Sequence, residues 1–418
     1  MHHRSHSSRA ALAALLAALG LAGCAGNDSG NLQATQLGDV SRPLERRSPV
    51  DELIQACGDG AATDAAAATL RREPYLQQVT SGSAIVGWVT TGTAGERVVV
   101  TTPAGEPVAE VAGAAEDTVV RSRGERQTWA KLDGLAADTV YCYALARGDQ
   151  PLTARTGFRT APAATTTRPI RFLAFGDSGW GETDQLSLYD QMLTVPYDLI
   201  VHVGDLAYPS GTIDQIEDTV FAIYAPLFRH LPFFPVAGNH EYKTDDAKPF
   251  RAVFALPNNE RWYSFDWGPV HFVALDTEQD YGKQAAWLDA DLAATRLPWK
   301  VVYMHKPLYS SGDHGSDGSA RKAFEPLFEK HGVQLVLAGH DHHYERVEPQ
   351  RGVAYFVTGG GGRGTRPTGS SSFTALSQPV IHFLQIEIAG DQLTVHAIDG
   401  AGNEFDSLVV PRVPVNHR

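Results

Sequence analysis

The chain has 418 residues, of which 43% are hydrophobic, 20% are charged and 9% are aromatic. This composition is typical of a folded globular protein and excludes an intrinsically disordered chain. The 35 basic and 48 acidic side chains give a formal net charge of −13. This charge argues against broad nucleic-acid binding, because such binding requires basic side chains that neutralise the phosphates. A small anion is not excluded, since a bound metal ion outweighs distant carboxylates. At roughly 100–200 residues per domain, the length predicts two or three domains.

Residues 1–24 have the pattern of an export signal. Arg4 and Arg9 form a basic start, and an apolar run that is shorter than the roughly 20 residues of a membrane-spanning helix ends at Cys24. The sequence LAGC at 21–24 resembles a bacterial lipobox, in which the cysteine is acylated and becomes the mature N-terminus. An ordinary signal peptide with an incidental cysteine is the alternative. We therefore predict an exported protein, periplasmic or on the cell surface, that a lipid on Cys24 anchors to a membrane.

Residues 25–72 are polar or alanine-rich without a sustained apolar period, and we predict a tether with one short helix at 50–56. Three cysteines in the whole chain are too few for a fold built on disulfides. In an oxidising compartment, Cys57 and Cys142 could pair and pin the tether to the next domain. The sequence cannot supply the geometry that a disulfide requires, so the pairing stays open at this point.

Residues 73–161 carry short strand patterns that Gly, Asp and Pro turns separate, without a helical period. This pattern is typical of a small antiparallel β-sandwich. Trp88, together with the segments LDGL at 132–135, TVY at 139–141 and FRT at 158–160, resembles a fibronectin type III-like domain. We expect the aromatic side chains of this region to form its core.

From residue 170 to about residue 412, short apolar runs alternate with amphipathic helical segments. Runs such as IRFLAF and VQLVLAG are apolar on both faces, which predicts strands that are buried on both sides and an α/β architecture. Several of these runs end in a polar or glycine-rich cluster. Since functional sites of such sheets form beyond the carboxyl ends of the strands, we expect the clusters to meet in one composite site.

The polar clusters combine carboxylates, an amide and imidazoles, and they contain no thiolate. In chain order they are Gly176-Asp177-Ser178-Gly179, Gly204-Asp205-Leu206-Ala207-Tyr208, Gly238-Asn239-His240-Glu241, His305 and Gly339-His340-Asp341-His342. Oxygen and imidazole ligands favour iron, manganese or zinc over copper(I) or an iron–sulfur cluster. The candidate ligands exceed what one four-coordinate zinc ion needs. They fit two octahedral ions about 3.5–4 Å apart that one carboxylate bridges.

These motifs, in this order, resemble those of the calcineurin-like metallophosphoesterase superfamily. Tyr208, three residues after Asp205, and the segment HDHHYER at 340–346 make the chain similar to purple acid phosphatases in particular. The similarity extends over about residues 73–410. It implies an α/β fold, a sandwich of two mixed β-sheets flanked by helices, preceded by a small all-β sandwich domain.

Carried over position by position, the resemblance implies a dinuclear metal centre. The ligands of a ferric ion would be Asp177, Tyr208 and His342, with Asp205 as the bridge to a second ion. The second ion, Fe²⁺, Zn²⁺ or Mn²⁺, would be completed by Asn239, His305 and His340. A phenol with a pKa of about 10 ionises near neutral pH only beside a strong Lewis acid, which favours Fe³⁺ at Tyr208.

The resemblance also implies acid phosphatase activity, by in-line attack of a metal-bound hydroxide on a phosphate monoester of a small molecule. His240 would bind the phosphate or protonate the leaving group, and His314 is a second candidate, in a loop whose spacing departs from the family pattern. A phosphodiesterase acting on nucleotides or phospholipid head groups at the same bimetallic core is the alternative. A surface-binding lipoprotein with a vestigial metal site is a third hypothesis, against which the complete ligand set counts.

Four other polar residues have structural interpretations. His202 and His271 lie inside apolar strand runs, so we expect hydrogen-bonded core histidines. Glu345 and Arg346 are expected to form an ion pair that supports the site.

Overall fold

Short runs of β-branched and aromatic residues form the strands of the N-terminal half of the protein. The structure, a computed structural model, describes residues 42–64, 66, 69–91, 95–119 and 124–412, so the predicted export signal and Cys24 lie outside the described residues. The first elements are α1 (Asp51–Cys57), β1 (Leu70–Gln77), β2 (Ser83–Thr91), β3 (Glu96–Thr101), β4 (Pro107–Ala112), β5 (Ala114–Val119), β6 (Glu125–Asp133), β7 (Val140–Arg147), β8 (Gln150–Pro151) and β9 (Thr156–Arg159).

These strands form two antiparallel sheets. One sheet has the order β1-β2-β6-β5, and the other has the order β4-β3-β7-β8, with β9 paired to β7. Side chains alternate between the core and the outer face, as on β3, where Val98 and Val100 are buried and Arg97 and Val99 are partly exposed. Trp88 on β2 is fully buried, as expected of a core aromatic residue. Membership of the fibronectin type III type stays a prediction.

Part of the predicted tether is folded. Helix α1 lies within one residue of the predicted short helix, and its Leu53 is buried together with the preceding Val50. Cys57, the last residue of α1, is disulfide-bonded to Cys142 of β7, with Cα atoms 5.4 Å apart. Residues 42–57 therefore differ from a free tether, because a few apolar side chains and one covalent bond attach them to the sandwich.

The second half alternates strands with helices, as its doubly apolar runs predict. Its strands are β10 (Ile170–Phe175), β11 (Leu199–His202), β12 (Phe233–Pro235), β13 (Tyr263–Trp267), β14 (Val270–Ala274), β15 (Trp299–Tyr303), β16 (Leu335–Ala338), β17 (Tyr344–Val347), β18 (Ala354–Thr358), β19 (Thr374–Gln378), β20 (His382–Ala389), β21 (Gln392–Asp399) and β22 (Glu404–Pro411). Its α-helices are α2 (Thr183–Met192), α3 (Ile213–Ile216), α4 (Ala222–Phe228), α5 (Lys248–Val253), α6 (Tyr281–Ala294) and α7 (Gly318–His331). A π-helical turn spans Glu217–Phe221, and two 3₁₀ turns span Glu241–Lys243 and Asp245–Ala247.

The strands of this half form two mixed sheets. Their orders are β12-β11-β10-β20-β21-β22 and β13-β14-β15-β16-β18-β17-β19. Strands β10, β11 and β12 pair in parallel, as do β14, β15, β16 and β18, whereas β10 pairs with β20 antiparallel. Phe172 of β10 and Phe272 of β14 pack edge to face between the sheets, with ring centroids 5.0 Å apart. The predicted α/β fold, with a small all-β sandwich before it, is confirmed.

Each polar cluster of the sequence follows the end of one parallel strand or its short extension. Asp177 follows β10, Asp205 follows β11, Asn239 follows β12, His305 follows β15 and His340 follows β16. The carboxyl ends of these strands lie at one edge of the two sheets, which brings the clusters together. Among the residues that the structure describes, no helix is long and apolar enough to cross a bilayer.

Candidate metal centre

One group of predicted ligands surrounds the hydroxyl oxygen of Tyr208. This oxygen lies 3.1 Å from Oδ1 of Asp177, 3.0 Å from Oδ2 of Asp205 and 3.2 Å from Nε2 of His342. Nε2 of His342 is also 3.5 Å from Oδ1 of Asp177. A hydroxyl carries a single proton, so it can satisfy only one of these three neighbours as a donor. A shared cation would satisfy all four atoms at once.

A second group surrounds Nε2 of His305. This nitrogen lies 3.1 Å from Oδ1 of Asn239, 3.4 Å from Oδ1 of Asp205 and 3.2 Å from Nδ1 of His340. The other ring nitrogen of His305, Nδ1, donates to the Val203 carbonyl oxygen at 2.9 Å. That bond fixes the tautomer of His305 and leaves the lone pair of Nε2 facing the group, as in a metal-ligating histidine.

Asp205 joins the two groups, because its Oδ2 faces the first and its Oδ1 faces the second. The structure therefore brings all of the predicted ligands into one site. The ligand atoms of Asp177, Asp205 and His305 all lie within 4.8 Å of one another. A carboxylate that presents one oxygen to each of two ligand groups has the arrangement of a bridge between two ions.

The two carboxylates of the site have histidines as their partners. Asp177 is fully buried and Asp205 is 2% exposed, and in the described part of the chain their ion-pair partners are histidines, never lysine or arginine. Burial, with the charges of Asp177 and Asp205, raises the pKa of Tyr208 well above its ordinary value. Burial also raises the pKa of Asp205, but His305 and His240 outweigh burial and lower it overall. Two carboxylates, a phenol, an amide and three imidazoles are a donor set that fits iron, zinc or manganese.

The backbone of the site adopts conformations that need support. Asp177, Asp205 and His340 have φ values of 58°, 53° and 71°, in the left-handed region that costs energy for residues other than glycine. Close packing also explains two glycines of the motifs. A Cβ at Gly238 would lie 2.2 Å from Oδ1 of Asp205, and a Cβ at Gly339 would lie 2.4 Å from Oδ2 of Asp177. These two positions therefore require glycine.

Glu241 connects two of the ligand loops. Its Oε1 accepts the backbone N–H groups of Leu206 at 2.9 Å and Ala207 at 3.0 Å, and its Oε2 accepts that of Gly238 at 2.8 Å. Burial, together with the charge of Asp205, raises the pKa of Glu241 to about 8. The sequence assigned this residue no role. Its place next to His240 in the third motif was the only available signal.

His240 lies beside the first ligand group. Its backbone N–H donates to Oδ1 of Asp205 at 2.9 Å, and its ring centroid is 4.3 Å from that of Tyr208. Nδ1 lies 2.7 Å from the Pro209 carbonyl oxygen, and Nε2 lies 3.8 Å from Oδ2 of Asp205. The amine of Lys243, which the sequence did not single out, is 3.1 Å from Nδ1. Burial lowers the pKa of His240.

His314 lies beside the second ligand group. Its ring stacks on that of His340, with centroids 4.2 Å apart and an interplanar angle of 26°. Its backbone N–H donates to Oδ1 of Asp341 at 2.8 Å, and its Nε2 accepts a hydrogen bond from Arg366. Asp341 also accepts the N–H of Gly315, so this buried carboxylate ties the loop to the motif that bears His340.

The predicted ion pair between Glu345 and Arg346 is wrong. Neighbouring residues of a strand point to opposite faces of the sheet, so the two side chains of β17 diverge. Glu345 contacts His343 at 3.2 Å and accepts the N–H of Ser311 at 2.7 Å. Arg346 pairs with Asp406 at 2.7 Å. Only Glu345 thus belongs to the surroundings of the metal centre.

The two strand histidines are hydrogen-bonded and buried, as expected. Nε2 of His202 lies 2.9 Å from Oγ of Ser178, and burial lowers the pKa of His202 to about 3. His271 lies between two carboxylates, 2.6 Å from Asp266 and 2.8 Å from Asp291.

Comparisons with known proteins agree with this geometry. Residues 170–344 match the family model of calcineurin-like phosphoesterases. An uncharacterized protein of Mycobacterium tuberculosis is 31% identical over 321 residues, covering 64% of this chain and 60% of its own length. Purple acid phosphatase 22 of Arabidopsis thaliana is 32% identical over 238 residues, covering 52% of this chain and 53% of its own length. Acid phosphatase type 7 of Homo sapiens is 33% identical over 185 residues, covering 37% and 41%.

Among solved structures, the purple acid phosphatase from yellow lupin (Lupinus luteus) seeds superposes with a TM-score of 0.75 at 20% sequence identity. The match covers 82% of this chain and 74% of the lupin chain, and it shows a shared fold. The chain spans at most 60% of the length of the curated relatives named above. Residues 170–344 are therefore similar to calcineurin-like phosphoesterases, and purple acid phosphatases are among the proteins that the chain resembles.

Proposed function

We propose that the protein is a metal-dependent acid phosphatase that hydrolyses phosphate monoesters at a dinuclear Fe³⁺–M²⁺ centre, where M is Fe, Zn or Mn. The observation that carries this proposal is the position of Asp205, whose two oxygens face two separate ligand groups. The groups differ in chemistry. One contains the phenol of Tyr208 and suits a trivalent ion, and the other contains an amide and two imidazoles and suits a divalent ion.

The chain's own residues would hold the metals and orient the phosphate. The ferric ion would be held by Asp177, Tyr208, His342 and Asp205. The divalent ion would be held by Asp205, Asn239, His305 and His340. When bound, the two ions supply Lewis acidity, which lowers the pKa of a water molecule and neutralises phosphoryl oxygens.

His240 is one of the two predicted proton donors. Its Nδ1–H donates to the Pro209 carbonyl, so Nε2 donates a hydrogen bond only in the imidazolium form, which acid pH favours. The Nε2 of His314, by contrast, accepts from Arg366, and a guanidinium is only ever a donor. His314 therefore holds no proton on that nitrogen while the bond persists. The amine of Lys243 likewise lies 3.2 Å from Nε2 of His240, so proton donation by either histidine requires that its neighbouring cation move away.

The test is a comparison of phenyl phosphate with diphenyl phosphate as substrates of the purified, iron- and zinc-loaded protein at pH 5. We expect faster hydrolysis of the monoester, and a loss of at least about 100-fold in Asn239→Ala because one metal ligand is removed. Asn403→Ala is the matched control, since the Asn403 side chain donates to Asp399 in an exposed turn. A faster reaction of the diester would identify a phosphodiesterase. No hydrolysis with both metals bound would indicate a vestigial site.

We also propose that the protein is exported and held at a membrane by a lipid on Cys24. The disulfide between Cys57 and Cys142 supports an oxidising compartment outside the cytosol. Cys24→Ser should release the protein from the membrane fraction, while Cys142→Ser, the control, should leave it there. An unchanged distribution of the Cys24 variant would contradict the anchor.

A further inference from the structure

Two arginines of the loop after β18 lie beside the metal centre. The backbone N–H of Arg363 donates to the carbonyl oxygen of Asp177 at 2.9 Å, and that of Arg366 donates to the carbonyl oxygen of His342 at 3.0 Å. Both acceptors are predicted ligand residues of the first group. The backbone thus places the two cationic side chains next to the site, and nothing in the proposed metal binding or proton transfer uses either of them.

Arg363 is held by aromatic rings, and its guanidinium forms no hydrogen bond with the residues that the structure describes. Its guanidinium carbon lies 3.6 Å from the ring centroid of Trp180 and 5.2 Å from that of Tyr208. Stacking uses the flat face of a guanidinium and leaves its N–H edges available for an anion. A cation that is fixed in this way also loses less conformational entropy when an anion binds.

Arg366 keeps its positive charge uncompensated as well. Its Nη1 donates to Nε2 of His314, which in this bond is an uncharged acceptor. His314 in turn stacks on His340, a predicted ligand of the second group. Arg366 therefore contacts both ligand groups. Its backbone N–H bonds to His342 of the first group, and its side chain reaches His340 of the second group through His314.

The lack of acidic partners for these arginines stands out in an acidic protein. In the part of the chain that the structure describes, neither Arg363 nor Arg366 forms an ion pair, although the chain has 48 acidic and 35 basic side chains. Glu182 and Asp184 line a cavity of about 300 Å³ beside Arg363, yet neither is within ion-pair distance of it. Two unpaired cations at a site for phosphate leave a place for additional negative charge.

We propose that Arg363 and Arg366 bind a second phosphate group of the substrate, so that the preferred substrates are small esters with two phosphates. This inference rests on the proposed function, in which the metal centre takes the phosphate that is cleaved. Arginine forms paired N–H···O bonds to phosphate oxygens, which gives the second phosphate a defined position. Arg363 and Arg366 are thus specificity-determining residues for the ester that is hydrolysed.

Binding of two non-hydrolysable compounds to the metal-loaded full chain tests this proposal by calorimetry. Propylphosphonate carries one phosphonate, and trimethylenebisphosphonate carries two. We expect the second compound to bind at least about 10-fold more tightly, a factor typical of a charge-assisted pair, and we expect Arg363→Gln/Arg366→Gln to remove most of this difference. Arg351→Gln is the matched control, because exposed Arg351 pairs with Glu329 away from the site.

The outcomes separate this inference from the proposed function. Equal affinity of the wild-type protein for the two compounds would overturn the inference, even if the protein hydrolyses monoesters. An equal loss of affinity for both compounds in the double variant, with a lower metal content, would also overturn it, since the arginines would then only support the metal site. A preference for the bisphosphonate in a protein that hydrolyses no ester would retain the anion site and refute the phosphatase.

Discussion

Carboxylates in two regions of the molecule have partners of different chemistry. Where the sandwich packs on the second half, Arg72 pairs with Glu217, and Arg72 has a side-chain exposure of 1%. In the candidate metal centre, the side chains of Asp177 and Asp205 are 0% and 3% exposed, more buried than the 14% of Glu217, and they contact histidine and tyrosine side chains. At the junction the partner of the carboxylate is an arginine, whereas at the candidate metal centre the ion-pair partners of Asp177 and Asp205 are histidines.

This difference helps to distinguish a carboxylate that stabilises the fold from a carboxylate that binds a metal ion. At the junction, Arg72 also donates to Gln127 at 2.6 Å and lies over the ring of Phe221 at 4.0 Å, so its donors and its face are occupied. A buried carboxylate without a cationic partner is costly, and a bound metal ion would offset this cost at Asp177 and Asp205. The partners of a carboxylate thus carry more information than its burial.

The largest effect is expected from Asp205→Asn, which removes the negative charge between the two ligand groups. We expect metal binding to weaken and hydrolysis to fall by at least about 1,000-fold, because both ions depend on this carboxylate. Metal content and initial rates measure the effect. Asp289→Asn is the control, since Asp289 pairs with Lys330 and His331 at the surface. Full metal occupancy in the Asp205→Asn variant would contradict the proposal that Asp205 binds the metal ions.

Arg72→Met tests whether the ion pair between Arg72 and Glu217 stabilises the folded protein. It leaves Glu217 without its cation, and we expect a loss of about 3–5 kcal/mol in the free energy of unfolding, with unchanged metal content. Arg97→Met breaks a more exposed pair with Glu110 and should cost less than about 1 kcal/mol. Urea unfolding measures both variants. Similar values for the two would mean that the junction pair contributes no more than a surface pair.

Glu241→Gln sharpens the comparison, because Glu241 is a buried carboxylate whose oxygens accept backbone N–H groups instead of facing a cation. An amide NH₂ cannot accept the N–H that one of these oxygens now accepts, so the ligand loops should shift. We expect metal affinity or kcat/KM to fall by about 10- to 100-fold, the range of changes behind a ligand. An effect as large as that of Asp205→Asn would show that Glu241 itself is a ligand.

His271 is expected to make a smaller, pH-dependent contribution to the free energy of unfolding, because it is itself the partner of two carboxylates, Asp266 and Asp291. Burial lowers the pKa of His271, but Asp266 and Asp291 outweigh burial and raise it from 6.5 to about 9. A raised pKa in the folded state stabilises the protein below pH 6.5, and this contribution is lost as the pH rises through 9. It amounts to at most about 3 kcal/mol. The free energy of unfolding should fall less between pH 6 and pH 10 in His271→Gln than in the wild type, and an equal fall in both would contradict the assignment.

The convergence of the predicted ligands on one site was predictable because strand ends converge in an α/β fold. Each ligand follows a short apolar run, so its place in the chain predicted its place in space, as for Asp177 and His305. The contacts of Glu345 were less predictable, because they depend on Ser311, a residue distant in sequence. Arg363 carried no signal either, since its partner Trp180 follows a different strand. The contacts of Glu345 and Arg363 thus depend on packing between segments that are distant in sequence.

The most direct measurement is the metal content of the purified full chain, determined together with its visible absorption spectrum. We predict two metal ions per chain, one of them iron, and a broad visible band from Tyr208 on Fe³⁺ that Tyr208→Phe removes. Two zinc or manganese ions without colour would retain the dinuclear site but contradict the ferric assignment. A protein that binds one ion or none in the presence of iron and zinc would contradict the central claim that Asp205 bridges two ions.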